Sequence, residues 1–175
     1  MSVDTEMKSF FDYANEPDGL PDGVYHFRVT ETEMRETESG QTYLQIQTEV
    51  ASGEHVGEFG PRHSWFVPEY REGVSKKTGK PYIITLESQL SELSKQVKAV
   101  AGGEDSLSLS NPTVFDETML EEIGPQLKGR EFFATVKRGN DGYADFTRRG
   151  FRAIDDPPKG ISGIMAAAGF SADEL

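Results

Sequence analysis

From Gly23 onward apolar and polar residues take turns: Tyr25, Phe27 and Val29 are interleaved with His26, Arg28 and Thr30. A two-residue period puts each set on its own face of an extended chain, which predicts a strand with one buried face. The turn-forming run Glu36-Thr37-Glu38-Ser39-Gly40 follows, after which Leu44, Ile46, Thr48 and Val50 alternate with Tyr43, Gln45, Gln47 and Glu49. Together these predict an antiparallel hairpin. Ser52-Gly53-Glu54 breaks the second strand, and Arg62 to Val67, starting near Phe59 and closed by Pro68, predicts a third. Residues 69–82 hold Gly73, Ser75, Lys76, Lys77, Gly79, Lys80 and Pro81, a composition that predicts an irregular, strongly basic loop.

The period then changes. Leu86, Leu90, Leu93, Val97 and Val100 are spaced 4, 3, 4 and 3 residues apart, one stripe of an amphipathic helix that ends at Gly102-Gly103. Lys95 and Lys98 near its end suit the helix dipole. A polar linker covers 103–112, and Asp116 to Ile123 predicts a short second helix stopped by Gly124-Pro125. Glu131 to Lys137 reads as a strand, Gly139-Asn140-Asp141-Gly142 as a tight turn, and Tyr143 to Arg149 as the returning strand. The chain thus divides into an acidic arm (1–22), a domain (23–154) and a flexible tail (155–175). A meander of three strands, a helix and a closing hairpin is the element order of an OB-fold. The expected class is mainly β with one or two helices, a five-stranded antiparallel barrel with a helix between strands three and four.

Composition removes several alternatives. Among 175 residues there is no cysteine, which excludes disulfide scaffolds, cysteine nucleophiles and cysteine-ligated metal centres and fits a reducing, cytoplasmic setting. No apolar run approaches the ~20 residues of a membrane span. The first residues, Met1 to Lys8, carry neither a basic start nor an apolar stretch, so no secretory signal is expected. The net charge of −12 argues at first against a polyanionic partner. The charge is sorted, however: residues 59–101 hold 7 bases against 4 acids and residues 128–152 hold 7 against 3, while 102–127 hold 6 acids and no base. A polyanion responds to the field near the basic segments more than to the distant sum.

The phrase Pro21-Asp22-Gly23-Val24-Tyr25-His26-Phe27, the acidic stretch with Ser39-Gly40, the strand Tyr43 to Glu49 with Val50 and Gly53, and Leu127-Lys128-Gly129-Arg130 opening the late hairpin resemble a class of small phage-encoded proteins. Those proteins look like OB-fold single-stranded-DNA-binding proteins of phage replication and recombination modules. The resemblance covers residues 21–154; the basic insertion 69–82 departs from its pattern. It implies a non-enzymatic protein that coats single-stranded DNA without sequence preference in the host cytoplasm.

Such binding needs aromatic faces for stacking bases and a basic groove for the phosphates. Tyr43, opposite in parity to Leu44 and Ile46, is expected on the outer face. Trp65 and Phe66 point to opposite sides. His63 shares the side of Trp65, which favours Trp65 as the exposed one, against the alternative that Trp65 is core. Phe133 beside Lys137 suits a stacking site, or else is covered by the helix or the arm. Lys76, Lys77 and Lys80 with Tyr82 form one cationic group, and Lys137, Arg138, Arg148, Arg149 and Arg152 a second that the turn folds onto one end of the barrel. The resemblance also implies a tail that recruits replication or recombination proteins, here with Phe170, Asp173, Glu174 and Leu175; a frayed terminus, or a helix docked on another copy in a homo-oligomer, is the alternative.

Enzyme motifs are missing. There is no phosphate-binding glycine loop, no dinucleotide fingerprint, no nucleophile elbow and no His-Glu-x-x-His. His55 and His63 with carboxylates match no known ligand spacing. No catalytic residue, cofactor or metal is expected. Two rivals remain: an interaction module or virion component that uses the acidic arm and tail, and an acidic mimic of nucleic acid that occupies a host protein's basic groove.

Overall fold

The computed structural model describes residues 19–157 apart from Tyr70 and Thr85. Strands β1 (Gly23–Glu36), β2 (Thr42–Val50) and β3 (His63–Phe66) form the meander. β4 (Arg71–Val74) and β5 (Pro81–Ile84) follow, then helices α1 (Leu86–Ala101) and α2 (Glu117–Leu127), then β6 (Glu131–Arg138), β7 (Ala144–Phe146) and β8 (Arg152–Ala153). The main sheet is antiparallel in the order β3-β2-β1-β6-β7. β8 pairs with β6 on the same edge as β7, through Phe132 and Phe133 rather than Val136 to Arg138. The domain is mainly β, a curled five-stranded antiparallel half-barrel of OB-fold-like design with both helices between β3 and β6.

The alternating residues face as their parity requires. Phe27, Val29, Leu44, Ile46 and Val50 are at most 1% exposed, and Phe132, Ala134 and Val136 come from the facing positions of β6. Each large apolar side chain so buried stabilises the fold by about 1.5–3 kcal/mol. β1 holds a bulge between Val29 and Glu31. The extra residue, Thr30, donates its hydroxyl to Gln47 O at 3.2 Å. Beyond it the parity inverts, so that Thr32 and Met34 point inward opposite Ile46 and Leu44, while Glu31 and Glu33 turn outward. Without the bulge two carboxylates would face the core.

α1 covers the open side of the sheet with Val97, Val100 and Ala101. α2 starts at the Asp116 side chain, which accepts from Met119 N at 3.0 Å. It runs to Leu127, so Gly124-Pro125 does not end it: Pro125 forfeits one late helical bond, and buried Ile123 and Leu127 hold the last turn to the core. Gly124 is where α2 meets the sheet. A Cβ there would stand 3.0 Å from Leu44 Cδ1, and its carbonyl accepts from Thr32 Oγ1 at 2.9 Å. Arg130 clips both helix ends, donating to Ala101 O, Ser106 O and Gln126 O.

Residues 69–82, expected to be irregular, contain a β-ribbon instead. β4 and β5 pair with each other in register Val74↔Pro81 and Gly73↔Tyr82, as a two-stranded sheet of their own. The glycines and Pro81 that suggested a loop sit where a ribbon tolerates them. Gly73 leaves room for the Tyr82 ring, whose hydroxyl oxygen lies 2.9 Å from the place of a Cβ, and Gly79 turns the chain at φ 68°.

Candidate nucleic-acid interface

The first expected site residues meet on the inner face of the sheet. Trp65 is 2% exposed, opposite Leu44, and Nε1 donates to Gln96 Oε1 on α1 at 2.9 Å. His63 also turns inward, its ring 5.7 Å from Trp65 and 5.0 Å from Phe151, and Nε2 lies 2.8 Å from the same Gln96 oxygen. An indole N–H can only donate, so it fixes the orientation of the Gln96 amide, which in turn fixes His63 as the Nε2–H tautomer. Gln96 Nε2 then donates to Arg148 O at 3.1 Å. Burial lowers the His63 pKa below its ordinary value, against weaker upward pulls from Gln96, Asp145 and Glu92.

The expectation that Trp65 stacks on bases is therefore corrected. His63 does share its side, but that side faces the core, because α1 brings a polar partner for both rings. Nor does His63 face solvent as an interface residue. The ring of His63 also lies 5.7 Å from Phe146 of β7. β3 and β7 are the two ends of the strand order, and side chains rather than a ladder fill the seam between them.

The outer face carries the residue that parity assigned to it and one that it did not. Tyr43 is half-buried there, opposite Phe66, with ring centroids 4.7 Å apart and 31° between planes. Arg35 stands beside Tyr43 in the next strand and donates to Gln45 Oε1 at 3.3 Å. Farther along the same face lie Gln45, Gln47, Glu31 and Glu33, which border a depression of about 220 Å³. Phe66 escaped the sequence reading because Trp65 was given the outer position. The signal that could have found it is Gln96, a polar residue within the buried stripe of α1 that requires an inward-facing donor. Phe59 and Tyr143, 73% and 62% exposed, are further aromatic surfaces that alternation alone did not flag.

Lys76, Lys77 and Lys80 are exposed at the tip of the β4–β5 ribbon, and Tyr82, 44% exposed, lies over Gly73 on one of its faces. The ribbon leaves from the Phe66 end of β3. Phe133 is 3% exposed on the sheet face away from the core, 5.5 Å from the His26 ring, so it is not an open stacking surface. His26 bridges Ser52 Oγ and Glu131 Oε1, each at 2.6 Å; burial lowers its pKa, and Glu131 opposes the shift.

The second basic group is dispersed. Arg138 donates to Gly19 O and Leu20 O, and its backbone N–H to Asp22 Oδ1, so it fastens the chain before β1 to the barrel. Lys137, opposite Asp145 in the middle of β7, is exposed. Exposed Arg148 and Arg149 occupy the turn beyond its C-terminal end, roughly 10 Å from Asp145 at strand rise. Arg148 stands 3.8 Å from Glu92, and Arg152 donates to Asp156. One end of the barrel therefore does not offer these bases as one cluster, because Arg138, Arg148 and Arg152 each turn to a different partner. The tail residues Phe170, Asp173, Glu174 and Leu175, and most of the acidic arm, lie outside the described residues. Among the described residues no three of His, Asp and Glu form a metal-binding group, and no helix is long and apolar enough to cross a membrane.

No protein-family model matches the chain, and no curated protein is significantly similar to it.

Proposed function

We propose that this protein binds single-stranded DNA without sequence preference, as a non-enzymatic component of phage replication or recombination acting in the host cytoplasm. The observation that carries the reading is the Tyr43–Phe66 pair on the outer face of β2 and β3, the strands through which OB-folds receive oligonucleotides. Sequence-tolerant binding uses such rings because every base has a π face. Arg35 borders the pair, and the ribbon with Lys76, Lys77, Lys80 and Tyr82 departs from the same end of β3, supplying phosphate contacts. Lys137 and Arg149 offer further contacts to a longer strand. Glu31 and Glu33 repel phosphate, which confines the path to the Phe66 end of the face.

The test is fluorescence anisotropy of a labelled oligo(dT) of about 30 nucleotides, longer than one OB-fold footprint, at low and moderate salt with a duplex competitor. The expected result is binding that prefers the single strand and weakens with salt at a slope of about 0.7 per phosphate neutralised. No binding at low salt, or equal binding of the duplex, overturns the reading. An interaction module is the second reading, favoured by the exposed apolar side chains of the ribbon.

A further inference from the structure

The β4–β5 ribbon stands apart from the main sheet. It pairs with none of that sheet's strands, and every residue from Glu72 to Ile83 is exposed or half-buried. Its base is nonetheless fixed. Glu69 N donates to Gln89 Oε1 at 3.3 Å and Gln89 Nε2 donates back to Glu69 O, which ties the chain just before β4 to α1. Its tip is built as well: Ser75 N donates to Lys80 O, Gly79 N donates to Ser75 O, and Ser75 Oγ accepts from the backbone N–H groups of Lys77 and Thr78, each at 3.3 Å. The turn that carries Lys76, Lys77 and Lys80 is therefore a hydrogen-bonded structure, and its cations are presented together.

Charge is graded along the ribbon. Residues 71–84 hold 4 bases and 1 acid in a chain of net charge −12. The acids belong to the base: Glu72 occupies the second rung, and Glu69 and Glu87 flank the ribbon in sequence. The Val74↔Pro81 rung stands roughly 10 Å from the Arg71↔Ile84 rung at strand rise, and the lysine turn lies beyond it. That distance exceeds the ~8 Å over which physiological salt screens a charge. A phosphate at the tip meets three lysines and little of the acidic body.

Shape then narrows the polyanion. Two strands about 4.8 Å apart make a ribbon that the major groove of B-DNA, about 12 Å wide, admits. Inside it the lysines of the turn reach phosphates, and the exposed Val74 and Pro81, which share one face just behind the turn, meet base edges where apolar side chains contact thymine methyls. Glu72 shares that face two residues nearer the base, which limits entry to the tip. A lone single strand offers a ribbon no groove. Only residues 67–70 lie between β3, which carries Phe66, and β4, so one ligand can engage both. We infer that the ribbon grips duplex DNA continuous with the strand held on Tyr43 and Phe66, and that the preferred ligand is a junction between single- and double-stranded DNA. The inference rests on the single-strand reading of that ring pair.

Fluorescence anisotropy of the full chain with three labelled probes tests this: oligo(dT), a blunt duplex, and the same duplex carrying the oligo(dT) as an overhang. The overhang probe should bind most tightly, and its affinity should fall with salt more steeply than that of oligo(dT), by about 0.9 in log–log slope for each lysine engaged and about 2.7 for all three. The triple variant Lys76→Ala, Lys77→Ala, Lys80→Ala should lose that extra slope and bind the overhang probe only as tightly as oligo(dT), with unchanged far-ultraviolet circular dichroism. The pair Lys95→Ala, Lys98→Ala, which removes exposed bases from α1, should keep both properties. An overhang probe bound no more tightly than oligo(dT), or a triple variant that weakens both probes equally, overturns the inference and leaves the single-strand reading intact. Lysine-dependent binding of the overhang probe without any binding of oligo(dT) supports the duplex contact and overturns the single-strand reading instead. Failure of all three probes overturns both.

Discussion

β3 and β5 are both four-residue strands in antiparallel pairs, yet they lead opposite lives. On β3, Trp65 is 2% exposed because α1 lies over it and Gln96 accepts its one donor. On β5, Ile83 is 64% exposed. Local alternation assigns a side chain to a face, but burial needs a second layer, and that layer comes from elsewhere in the chain. The β2–β3 pair owes its rigidity to residues more than 30 positions away, such as Gln96, 31 residues beyond Trp65. The ribbon is joined to α1 just before β4 by the two hydrogen bonds between Glu69 and Gln89, yet Val74 and Ile83 stay exposed on one of its faces.

Substitutions at matched positions sharpen the contrast. The largest effect is expected at the covered strand: Trp65→Ala should lower unfolding free energy by about 3–5 kcal/mol, read by urea denaturation, since it empties a packed site. Gln96→Leu comes next, at about 2–3 kcal/mol, because it strands the Trp65 and His63 donors in the interior. A neutral effect there would mean that water satisfies both rings and that the Gln96 network does not close the seam. On the outer face, Tyr43→Ala and Phe66→Ala should each weaken oligo(dT) binding by about 1–3 kcal/mol while leaving the fold intact.

A pH-dependent effect follows from His63. Its folded-state pKa is lowered by burial, so below the ordinary 6.5 the unfolded chain binds the proton that the folded chain resists, and stability falls as pH drops through that window. His26, lowered for the same reason, acts in the same direction. Thermal melts at pH 7.5 and 5.5 should separate wild type from His63→Gln, the variant losing less on acidification. The smallest effect belongs to the ribbon, where Ile83→Ser should change the stability of the isolated chain by no more than about 0.5 kcal/mol. A larger loss would show that the ribbon is already covered.

Much of the fold was legible because β1, β2, β6 and α1 each repeat their own period long enough to declare a face. The rest depended on distant partners. Nothing local announces the bulge at Thr30, which becomes intelligible only when Glu31 and Glu33 must be kept out of the core. The position of Trp65 turned on a glutamine in another element, and giving it the outer face hid Phe66. Gly73, Gly79 and Pro81 do break structure in general, but here they turn and pack a short ribbon. Of the candidate interface, Tyr43 and the three ribbon lysines were legible from parity and charge. Arg138 was not, since its carbonyl partners Gly19 and Leu20 lie 119 and 118 residues away.

The seam between β3 and β7 bears on motion. Its edges meet through the rings of His63, Phe146 and Phe151 and through Gln96, which joins Trp65 and His63 to Arg148 O, so they can part without breaking one rung of the sheet. An opening at this seam would hinge on β1 like the spine of a book, and the β3 amides should exchange hydrogen with solvent sooner than those in the middle of β1. Trimming Phe151 should quicken that exchange while every strand keeps its neighbour, leaving the Gln96 hydrogen bonds as the restraint on the seam.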